Sequence, residues 1–515
     1  MGSIDSYKFA QEPIHQPQKK RLICIGAGLA GIGAAYQYQQ HLENVDFVIY
    51  EKNDDVGGTW LENRYPGCAC DIPAHGYTYS WEGNPNWSRF YVSAEEIFDY
   101  FKGCAVKWNC MKYIRLSHRV IEARWSEQKS QWVLKIENLT DQTIFEDQCD
   151  VLLSATGILK LKVVKKLTNF IRSPTWITPE FSESLAKDGR DTKFSPEEIE
   201  RFNKDKKYFL EYRKLVQNTG SSSFSLYYKG SDLQQQSVVK FANLMRERLG
   251  YNEELSEKLI PKFPVGCRRF TPGNGYLESL IKPNVEVVCS GVDEITPTGI
   301  RAADGTEHAF DAIVCATGFD CSHRPAFPVI GRSGRDLAES WKEQPRHYFS
   351  VAAPGFPNFF SKREPHKVCF LDANVPVLGG PNSPIANGSL ISGLETEINY
   401  AFACLQKMQT ENIASMDVKE EVVDDFLEHR DSLMDAMVWS GGCRSWYKNG
   451  TINGPVIGPW IGSTWHFNEA LQTPRFEDYN MVYSARNRFR YLGNGRTIGE
   501  LTGADMTGYM REPGA

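Results

Sequence analysis

Short apolar runs alternate with amphipathic stretches near the start of the chain, and this alternation predicts a βαβ unit at residues 22–51. Residues 22–25 form an apolar run that suits a buried parallel strand. A helix-compatible stretch follows at residues 32–40, and a second apolar run at residues 46–50 predicts the next strand. The order strand, helix, strand is typical of an α/β fold with a parallel sheet.

Beyond this unit, the pattern of apolar positions predicts a small antiparallel meander and several helices. Residues 118–147 alternate apolar and polar positions, and they lead to a buried strand at residues 150–153. Ser93 and Glu96 have the spacing of a capping box and predict a helix through about residue 108. The other predicted helices cover residues 195–217, 233–249, 253–259, 390–410 and 418–437.

Two of the predicted strands end in the tripeptide Ala-Thr-Gly, at residues 155–157 and 316–318. A hairpin around Asp304 and Gly305 precedes the second of these strands, as the meander precedes the first. This repetition predicts that the chain returns twice to a nucleotide-binding sheet. A last strand is predicted near Tyr491, before a glycine turn at residues 493–495 after which no helix is expected.

Composition narrows the class of protein. A chain of 515 residues is long enough for two or three domains, and its net charge of −6 without a basic block argues against a nucleic-acid partner. No apolar run has the length of a membrane span, and no signal-like segment follows Met1. Thirteen cysteines in such a chain predict reduced thiols in an intracellular, cytoplasmic protein. Cys68 and Cys70 lack a second ligand pair at zinc spacing, so no metal site is expected.

Gly26, Gly28 and Gly31 match the motif G-x-G-x-x-G between the first strand and the first helix. In this motif the first glycine permits the tight turn, the second lets the backbone approach a pyrophosphate, and the third lets the helix pack on the strand. Glu51 ends the second strand, where an acid would bind a ribose hydroxyl. The combined pattern favours a dinucleotide site over an ordinary glycine-rich βα turn.

Residues 58–71 match a longer fingerprint, G-x-W-x-x-x-x-[FY]-P-G-x-x-x-D, and so resemble the type I Baeyer–Villiger monooxygenases. The resemblance continues at residues 263–273, 380–384 and 439–447. Most of the chain resembles a fungal FAD-binding monooxygenase of the kind found in polyketide and terpenoid pathways. The resemblance implies an α/β fold with a Rossmann-like FAD-binding domain, a truncated second dinucleotide-binding domain and helical insertions. It also implies FAD and NADPH as cofactors, with a small-molecule ketone and O2 as substrates.

The resemblance assigns two catalytic residues, of which Arg269 would stabilise anionic oxygen species beside the flavin and Asp71 would orient its guanidinium. Ala69 to Asp71 would also face the nicotinamide, and Trp446 would lie near its ribose. Trp60 and Tyr77 could instead be core aromatics, and Arg268 fits a surface cation as well as a phosphate ligand. The expected cofactor-binding residues are Gly26, Gly28, Gly31, Glu51, Thr59, Trp60, Leu61, Glu62, Ala69, Cys70, Asp71, Ile72, Tyr77, Arg172, Ser173 and Trp446.

The chain departs from this family at the nicotinamide-binding unit. That unit should follow the first Ala-Thr-Gly strand with its own G-x-G-x-x-G, but only fifteen positions separate Gly157 from Arg172. A βαβ unit needs about thirty residues, so it cannot fit there. Residues 167–176 resemble the end of the missing unit, whose Arg-Ser pair, here Arg172 and Ser173, would bind the NADP 2′-phosphate.

A second departure is an extra block at residues 361–377. One missing and one extra block are consistent with a skipped exon and a retained intron, and also with a truly divergent protein. The leading interpretation is an FAD- and NADPH-dependent monooxygenase that converts a ketone into an ester or lactone. The alternatives are a flavin oxidase or cyclase that uses no NADPH, and an inactive flavin-binding remnant.

The same patterns predict a division of the chain into six parts. These are a disordered lead-in at 1–18, the first part of the FAD-binding domain at 19–160, an NADP-domain remnant with a helical insertion at 161–265, a return to the dinucleotide-binding sheets at 266–335, a helical and aromatic-rich cap at 336–480, and a return to the FAD domain at 481–515.

Overall fold

A computed structural model describes residues 8–63, 67–155, 167–179, 183–186, 192–221, 224–313, 323–325, 327–360, 380–507 and 510. The strands are β1 Lys20–Ile25, β2 Val45–Tyr50, β3 Ile114–Arg115, β4 His118–Ser126, β5 Gln131–Asn138, β6 Ile144–Cys149, β7 Val151–Ser154, β8 Leu167–Phe170, β9 Ile177–Thr178, β10 Thr271–Pro272, β11 Val285–Val288, β12 Val292–Thr296, β13 Gly299–Ala302, β14 Glu307–Ala309, β15 Val329–Ile330, β16 Phe359–Phe360, β17 Ile413–Val418 and β18 Tyr479–Tyr483.

The α-helices alternate with these strands along the described chain. They are α1 Leu29–His41, α2 Thr59–Glu62, α3 Ala94–Lys107, α4 Pro196–Lys204, α5 Lys206–Ser221, α6 Asp232–Arg248, α7 Glu253–Leu259, α8 Tyr276–Leu280, α9 Leu337–Ser340, α10 Leu390–Thr410, α11 Glu420–Met434, α12 Thr464–Ala470 and α13 Ile498–Thr502. No helix in the described ranges has both the length and the apolar character needed to cross a membrane.

The central element is a five-stranded sheet with the order β16-β7-β1-β2-β3, in which every neighbouring pair is parallel. Successive side chains of β1 point to opposite faces, because a strand has a two-residue repeat. Leu22 and Cys24 join the core formed with α1 and α10, whereas Ile23 and Ile25 join the core under the meander sheet β15-β4-β5-β6. Both faces are therefore covered, which explains the unbroken apolar run of β1.

A second region, from β8 to β14, has a smaller core of its own. It contains the parallel pairs β8–β11 and β9–β10 and the antiparallel sheet β12-β13-β14. Trp176, Met245 and Leu277 belong to the apolar cluster that joins β9, α6 and α8. The predicted remnant of the second dinucleotide-binding domain and its helical insertion fall in this region, and each of the two parallel sheets described there has only two strands.

Several predicted elements differ from the structure in their bounds. The predicted helix at residues 195–217 is two helices, because Asp205 interrupts it and its carboxylate accepts from the backbone N–H of Tyr208 at 2.9 Å. Ser93 caps α3 as predicted, but the Glu96 carboxylate accepts from Ser88 instead of closing a capping box. Apart from Ala155, both Ala-Thr-Gly turns lie outside the described residues, as does the extra block at residues 361–377.

The predicted strand near Tyr491 is wrong. Residues Arg488–Leu492 form a 3₁₀ turn, the strand is β18, and the short helix α13 follows the glycine turn. Residues 8–18 of the predicted lead-in are also not disordered, because Ile14 donates its backbone N–H to Arg496 O at 2.9 Å and Asn494 donates to Glu12 O at 3.0 Å.

The prediction that all cysteines are free thiols is also wrong, because Cys267 and Cys443 form a disulfide. Both are buried, and the bond joins two segments that are 176 residues apart in the sequence. The local sequence does not reveal this pairing, since only the fold brings the two segments together. No group of three or more potential metal ligands occurs within the part of the chain that the structure describes.

Asn358 joins three strands at the edge of the central sheet. Its side-chain amide donates to Asp150 O and Ala414 O, each at 3.0 Å, and its Oδ1 accepts from Met416 N at 2.8 Å. Its backbone bonds to Leu152 N and Met416 O. Asn358 is 1% exposed and has a left-handed backbone with φ of 55°, which asparagine tolerates well.

We expect Asn358→Asp to lower the melting temperature by several degrees. The substitution keeps the shape and the backbone preference but removes both amide donors, and leaving buried carbonyls unpaired costs about 1–3 kcal/mol each. Thermal unfolding followed by circular dichroism measures the effect. Asn109→Asp is the control, because Asn109 is exposed and also left-handed, with φ of 51°. Equal melting temperatures for the two variants would contradict the role of Asn358.

Candidate active site

The glycine-rich turn between β1 and α1 begins the site. Gly26 has φ of 98°, and its N–H donates to Tyr50 O at 2.7 Å, so the turn is tied to β2. A Cβ on Gly31 would lie 2.1 Å from Gly26 O, so this position requires glycine for packing alone. A Cβ on Gly28 would meet Gly58 Cα at 3.6 Å, an ordinary contact.

Gly28 provides a test of whether the turn fits a dinucleotide. Among the described residues, nothing near Gly28 forbids a side chain, and its φ of −71° suits any residue. The glycine leaves open the space in front of the first N–H groups of α1, where a pyrophosphate would bind. The turn therefore fits a dinucleotide, as the motif predicts.

Glu51 lies beside this turn at the end of β2. Its carboxylate accepts from Ala27 N at 2.6 Å and from Asn53 N at 2.8 Å, and the residue is 4% exposed. Burial raises the pKa of the Glu51 carboxyl, and the two backbone N–H groups act in the opposite direction. These contacts orient Glu51 at the edge of the turn, where the fingerprint expects an acid for the ribose.

Residues 57–77, here called the Trp60 loop, pack directly on the glycine-rich turn. Gly57 N donates to Ala27 O at 3.0 Å, and the helix α2 that follows buries Thr59, Trp60 and Leu61. Glu62 forms an ion pair with Lys52 at 3.1 Å. This part of the loop is therefore fixed to the turn, while residues 64–66 of the fingerprint lie outside the described residues.

The far end of the Trp60 loop reaches Arg269. Asp71 Oδ2 accepts from Arg269 Nη2 at 2.7 Å and from Nε at 3.2 Å. The side chains are only 5% and 10% exposed, respectively. Arg269 Nη1 also donates to Ile385 O at 3.5 Å. The structure thus brings together the two residues to which the sequence assigned catalysis, although 198 positions separate them.

Around this ion pair, the Trp60 loop buries other predicted site residues. Trp60 and Tyr77 are in edge-to-face contact, with ring centroids 5.8 Å apart, and both are nearly fully buried. Burial raises the pKa of Tyr77 well above its usual value, and Cys70 and Asp71 raise it further while Arg269 lowers it. Asp71 Oδ1 is buried and, among the described residues, accepts no hydrogen bond. An acceptor is thus available to a bound group.

The remaining loop residues have different environments. Cys70 is fully buried, Ala69 pairs with Ser93 in an isolated β-bridge, and Ile72 is half-buried against the core. Trp446 is half-buried and packs edge-to-face on Tyr447, three residues after the disulfide at Cys443. The disulfide therefore ties the segment of Trp446 to residues 263–270, here called the Arg269 loop.

The predicted phosphate ligands lie in the smaller region of the fold. Arg172 is exposed and Ser173 half-buried, just after β8. Arg268 Nη1 donates to Pro174 O at 3.3 Å, so the arginine next to Arg269 reaches the same turn. The sequence left Arg268 undecided, and this contact is the observation that distinguishes it from a remote surface cation.

Sequence reasoning missed the groups that support Arg269. The carbonyl of Ile385, the ring of Tyr227 and the amide of Gln234 all lie near the Arg269 loop. The sequence indicated only one of these groups, because Ile385 directly follows residues 380–384, a segment of the family resemblance. The other two lie in the helical insertion, where the sequence shows helix periodicity but not the contact partner.

Comparison with known proteins agrees with the fold. Residues 24–94 match the family described as NAD(P)-binding Rossmann-like domain. A cyclohexanone monooxygenase from Rhodococcus sp. Phi1, crystallised with NADP+, has the same fold, with a TM-score of 0.71 over 91% of this chain and 100% of its own, at 19% identity.

Two relatives cover nearly the whole sequence. A Baeyer-Villiger monooxygenase from Pseudomonas aeruginosa is 28% identical over 87% of this chain and 88% of its own length. The FAD-binding monooxygenase tazF from Aspergillus terreus is 35% identical over 97% of this chain and 96% of its own length. That alignment spans 558 positions, more than the 515 residues of the chain, so tazF has residues where this chain has none. The chain belongs to the FAD-binding monooxygenases.

Proposed function

We propose that this protein inserts one oxygen atom from O2 beside the carbonyl carbon of a ketone, which gives an ester or a lactone. FAD would be the bound flavin and NADPH the reductant. The ketone would come from a fungal secondary-metabolite pathway, such as polyketide or terpenoid biosynthesis. The observation that carries the proposal is the buried ion pair of Arg269 and Asp71 at the end of the loop that packs on the dinucleotide turn.

The ion pair is suited to stabilise negative charge. A guanidinium stays protonated throughout, and in a site with little water its field is stronger than in solution. Asp71 holds Nη2 and Nε of Arg269, which fixes the plane of the guanidinium and leaves Nη1 directed to Ile385 O. Reduced FAD, when bound, would supply the electrons that activate O2. The protein would supply the fixed positive charge and the exclusion of water.

The other predicted residues would hold the cofactors. Gly26, Gly28 and Gly31 would accept the FAD pyrophosphate, Glu51 its ribose, and the residues of the Trp60 loop the flavin and the nicotinamide. Arg172 and Ser173 would bind the 2′-phosphate of NADPH. We add Arg268 to this phosphate site, because its contact with Pro174 O brings a second guanidinium to the turn that carries the Arg-Ser pair.

A second function is favoured by one observation. Only residues 155–166 connect β7 to β8, and the sequence of this stretch contains a single glycine, Gly157. A second glycine-rich βα turn for the NADPH pyrophosphate cannot be built there. The alternative is a flavin oxidase or cyclase in which the substrate itself reduces the flavin.

Anaerobic mixing of the FAD-loaded protein with NADPH distinguishes these two functions. The proposed function predicts loss of the oxidised flavin absorbance near its visible maximum. The NADPH concentration that gives half-maximal reduction should be high, because one phosphate-binding turn is missing. NADH is the matched control, since it lacks the 2′-phosphate that Arg172, Ser173 and Arg268 would bind. A flavin that stays oxidised with NADPH would exclude NADPH as the reductant of this chain and leave the oxidase or an inactive remnant.

We expect Arg269→Lys to reduce the rate of ketone oxygenation by roughly 100-fold to 1000-fold, as the loss of an oxyanion donor does in other enzymes. Lysine keeps the charge but cannot hold Asp71 with two nitrogens. FAD content should stay at the wild-type level. Arg246→Ala is the control, because Arg246 is exposed on α6. Ester formation by Arg269→Lys within a few-fold of wild type would argue against this catalytic role.

Gly28 and Gly31 should respond differently to the same substitution. Gly28→Ala should weaken FAD binding about tenfold or more, because a methyl group that intrudes on a packed ligand costs about 1–3 kcal/mol. The melting temperature of the apoprotein should change little. Gly31→Ala should destabilise the apoprotein itself, since its Cβ would lie 2.1 Å from Gly26 O.

FAD affinity by fluorescence quenching and apoprotein melting temperature measure the two effects. Gly103→Ala is the control, because Gly103 is exposed in α3 and a Cβ at this position would have no described atom within 4 Å. If Gly28→Ala binds FAD as tightly as wild type, the pyrophosphate does not occupy the space in front of this turn.

A further inference from the structure

A buried side chain of the helical insertion, Gln234 in the first turn of α6, forms hydrogen bonds with the Arg269 loop. Its Nε2 donates to Leu226 O at 2.6 Å and to Val265 O at 2.8 Å, and its Oε1 accepts from Val265 N at 3.0 Å. Gln234 is 5% exposed. The amide therefore pairs with both backbone groups of Val265, four residues before Arg269.

These bonds restrain a segment whose buried backbone groups lack water as an alternative hydrogen-bond partner. Val265 is fully buried, so its N–H and C=O would have no water partners if Gln234 were lost. The next residue, Gly266, has φ of 81°, and a Cβ there would lie 3.0 Å from the ring of Tyr227. Tyr227, which directly follows Leu226, thus packs against the turn that leads to Arg269.

The insertion also contacts the segment that accepts a hydrogen bond from Arg269. The hydroxyl of Tyr227 donates to Ala386 O, and the preceding carbonyl, that of Ile385, accepts from Arg269 Nη1. Gln234 therefore holds the backbone four residues before Arg269, and Tyr227 holds the segment whose carbonyl accepts from the guanidinium. Because Asp71 lies on a different loop, a shift of Val265 would move the guanidinium relative to the carboxylate.

We propose that Gln234 is a positioning residue, which acts through Val265 to hold Arg269 against Asp71. The proposal rests on the proposed function, since it assumes the role given there to Arg269. It assigns the helical insertion a part in catalysis: the first turn of α6 sets the position of the charged pair. Gln234 itself touches none of the reacting atoms.

The chain provides matched controls in the two following residues. Gln235 and Gln236 are exposed on the same helix, and among the described residues the side chain of Gln235 bonds only locally, to Gly230 O. Gln234→Met and Gln235→Met change the same side chain to one of similar length without hydrogen-bonding groups. A difference between these two variants reports the contacts of Gln234 rather than helix propensity.

Hydrogen–deuterium exchange of the FAD-loaded protein tests the proposal, with the peptide that covers residues 263–273 as the probe. In Gln234→Met, the amide of Val265 should exchange about tenfold faster or more, because its acceptor is gone, while peptides from the central sheet keep wild-type rates. Gln235→Met should match wild type throughout. Unchanged exchange at residues 263–273, or an equal rise in every peptide, would overturn the proposal.

A second readout connects the loop to the chemistry. After reduction of the flavin and admission of O2 with cyclohexanone, Gln234→Met should give a lower ratio of ester to hydrogen peroxide than Gln235→Met, at equal FAD content. An equal ratio in the two variants would also overturn the proposal. If wild type oxygenates neither cyclohexanone nor any other ketone of a panel, the proposed function fails, while the exchange result still shows whether Gln234 holds the loop.

Gln234→Glu keeps the assay decisive if Gln234→Met does not fold. The glutamate retains the acceptor for Val265 N–H but loses the amide donors to Leu226 O and Val265 O. Its exchange at residues 263–273 should lie between those of wild type and a fully released loop. Wild-type exchange and a wild-type ratio of ester to peroxide in Gln234→Glu would show that the donated bonds do not position Arg269.

Discussion

The buried ion pair of Arg269 and Asp71 is the interaction that organises the site of this protein. Burying a charge is costly unless a partner compensates it, so neither residue can occupy its position without the other. The two residues are 198 positions apart, and the pair therefore requires the Trp60 loop and the Arg269 loop to meet. The disulfide between Cys267 and Cys443 joins the Arg269 loop to a third segment.

The Trp60 loop connects this ion pair to the dinucleotide turn. At one end Gly57 and Gly58 pack on the turn, and at the other Asp71 holds Arg269. A dinucleotide at the turn would therefore lie at one end of the Trp60 loop, and the other end of this loop holds the fixed positive charge of Arg269 through Asp71. This connection explains why the glycine motif and the loop fingerprint occur together in the sequence. It also explains why the ion pair would take part in chemistry only when a flavin is bound beside it.

The sequence predicted features that depend on local geometry. The positions of Gly26, Gly28, Gly31 and Glu51 follow from a tight turn and two adjacent strands, and most long helices were predicted because their apolar positions repeat regularly. The pairing of Arg269 with Asp71 required the family resemblance, since no local rule joins residues so far apart.

Other features depend on contacts that no sequence pattern encodes. Asn358 bonds to β7, β17 and Asp150, Gln234 bonds to a loop 31 residues away, and Cys267 meets Cys443 only after folding. The break at Asp205 has a local cause that the sequence pattern hides. The helical periodicity continues through residues 195–217, but the Asp205 side chain caps a new helix and so ends the first one. The strands β16 and β17 were missed because pairing with β7 and β18, rather than their own composition, defines them as strands.

The most direct test of the central claim separates oxygenation from coenzyme binding. The FAD-loaded protein is reduced with light in the absence of NADPH, and then mixed with 18O2 and a panel of ketones that includes cyclohexanone and phenylacetone. Mass spectrometry of the products measures the outcome. We expect an ester or lactone that carries one 18O atom from at least one ketone. Reoxidation of the flavin to give only hydrogen peroxide, with every ketone of the panel unchanged, would contradict the claim.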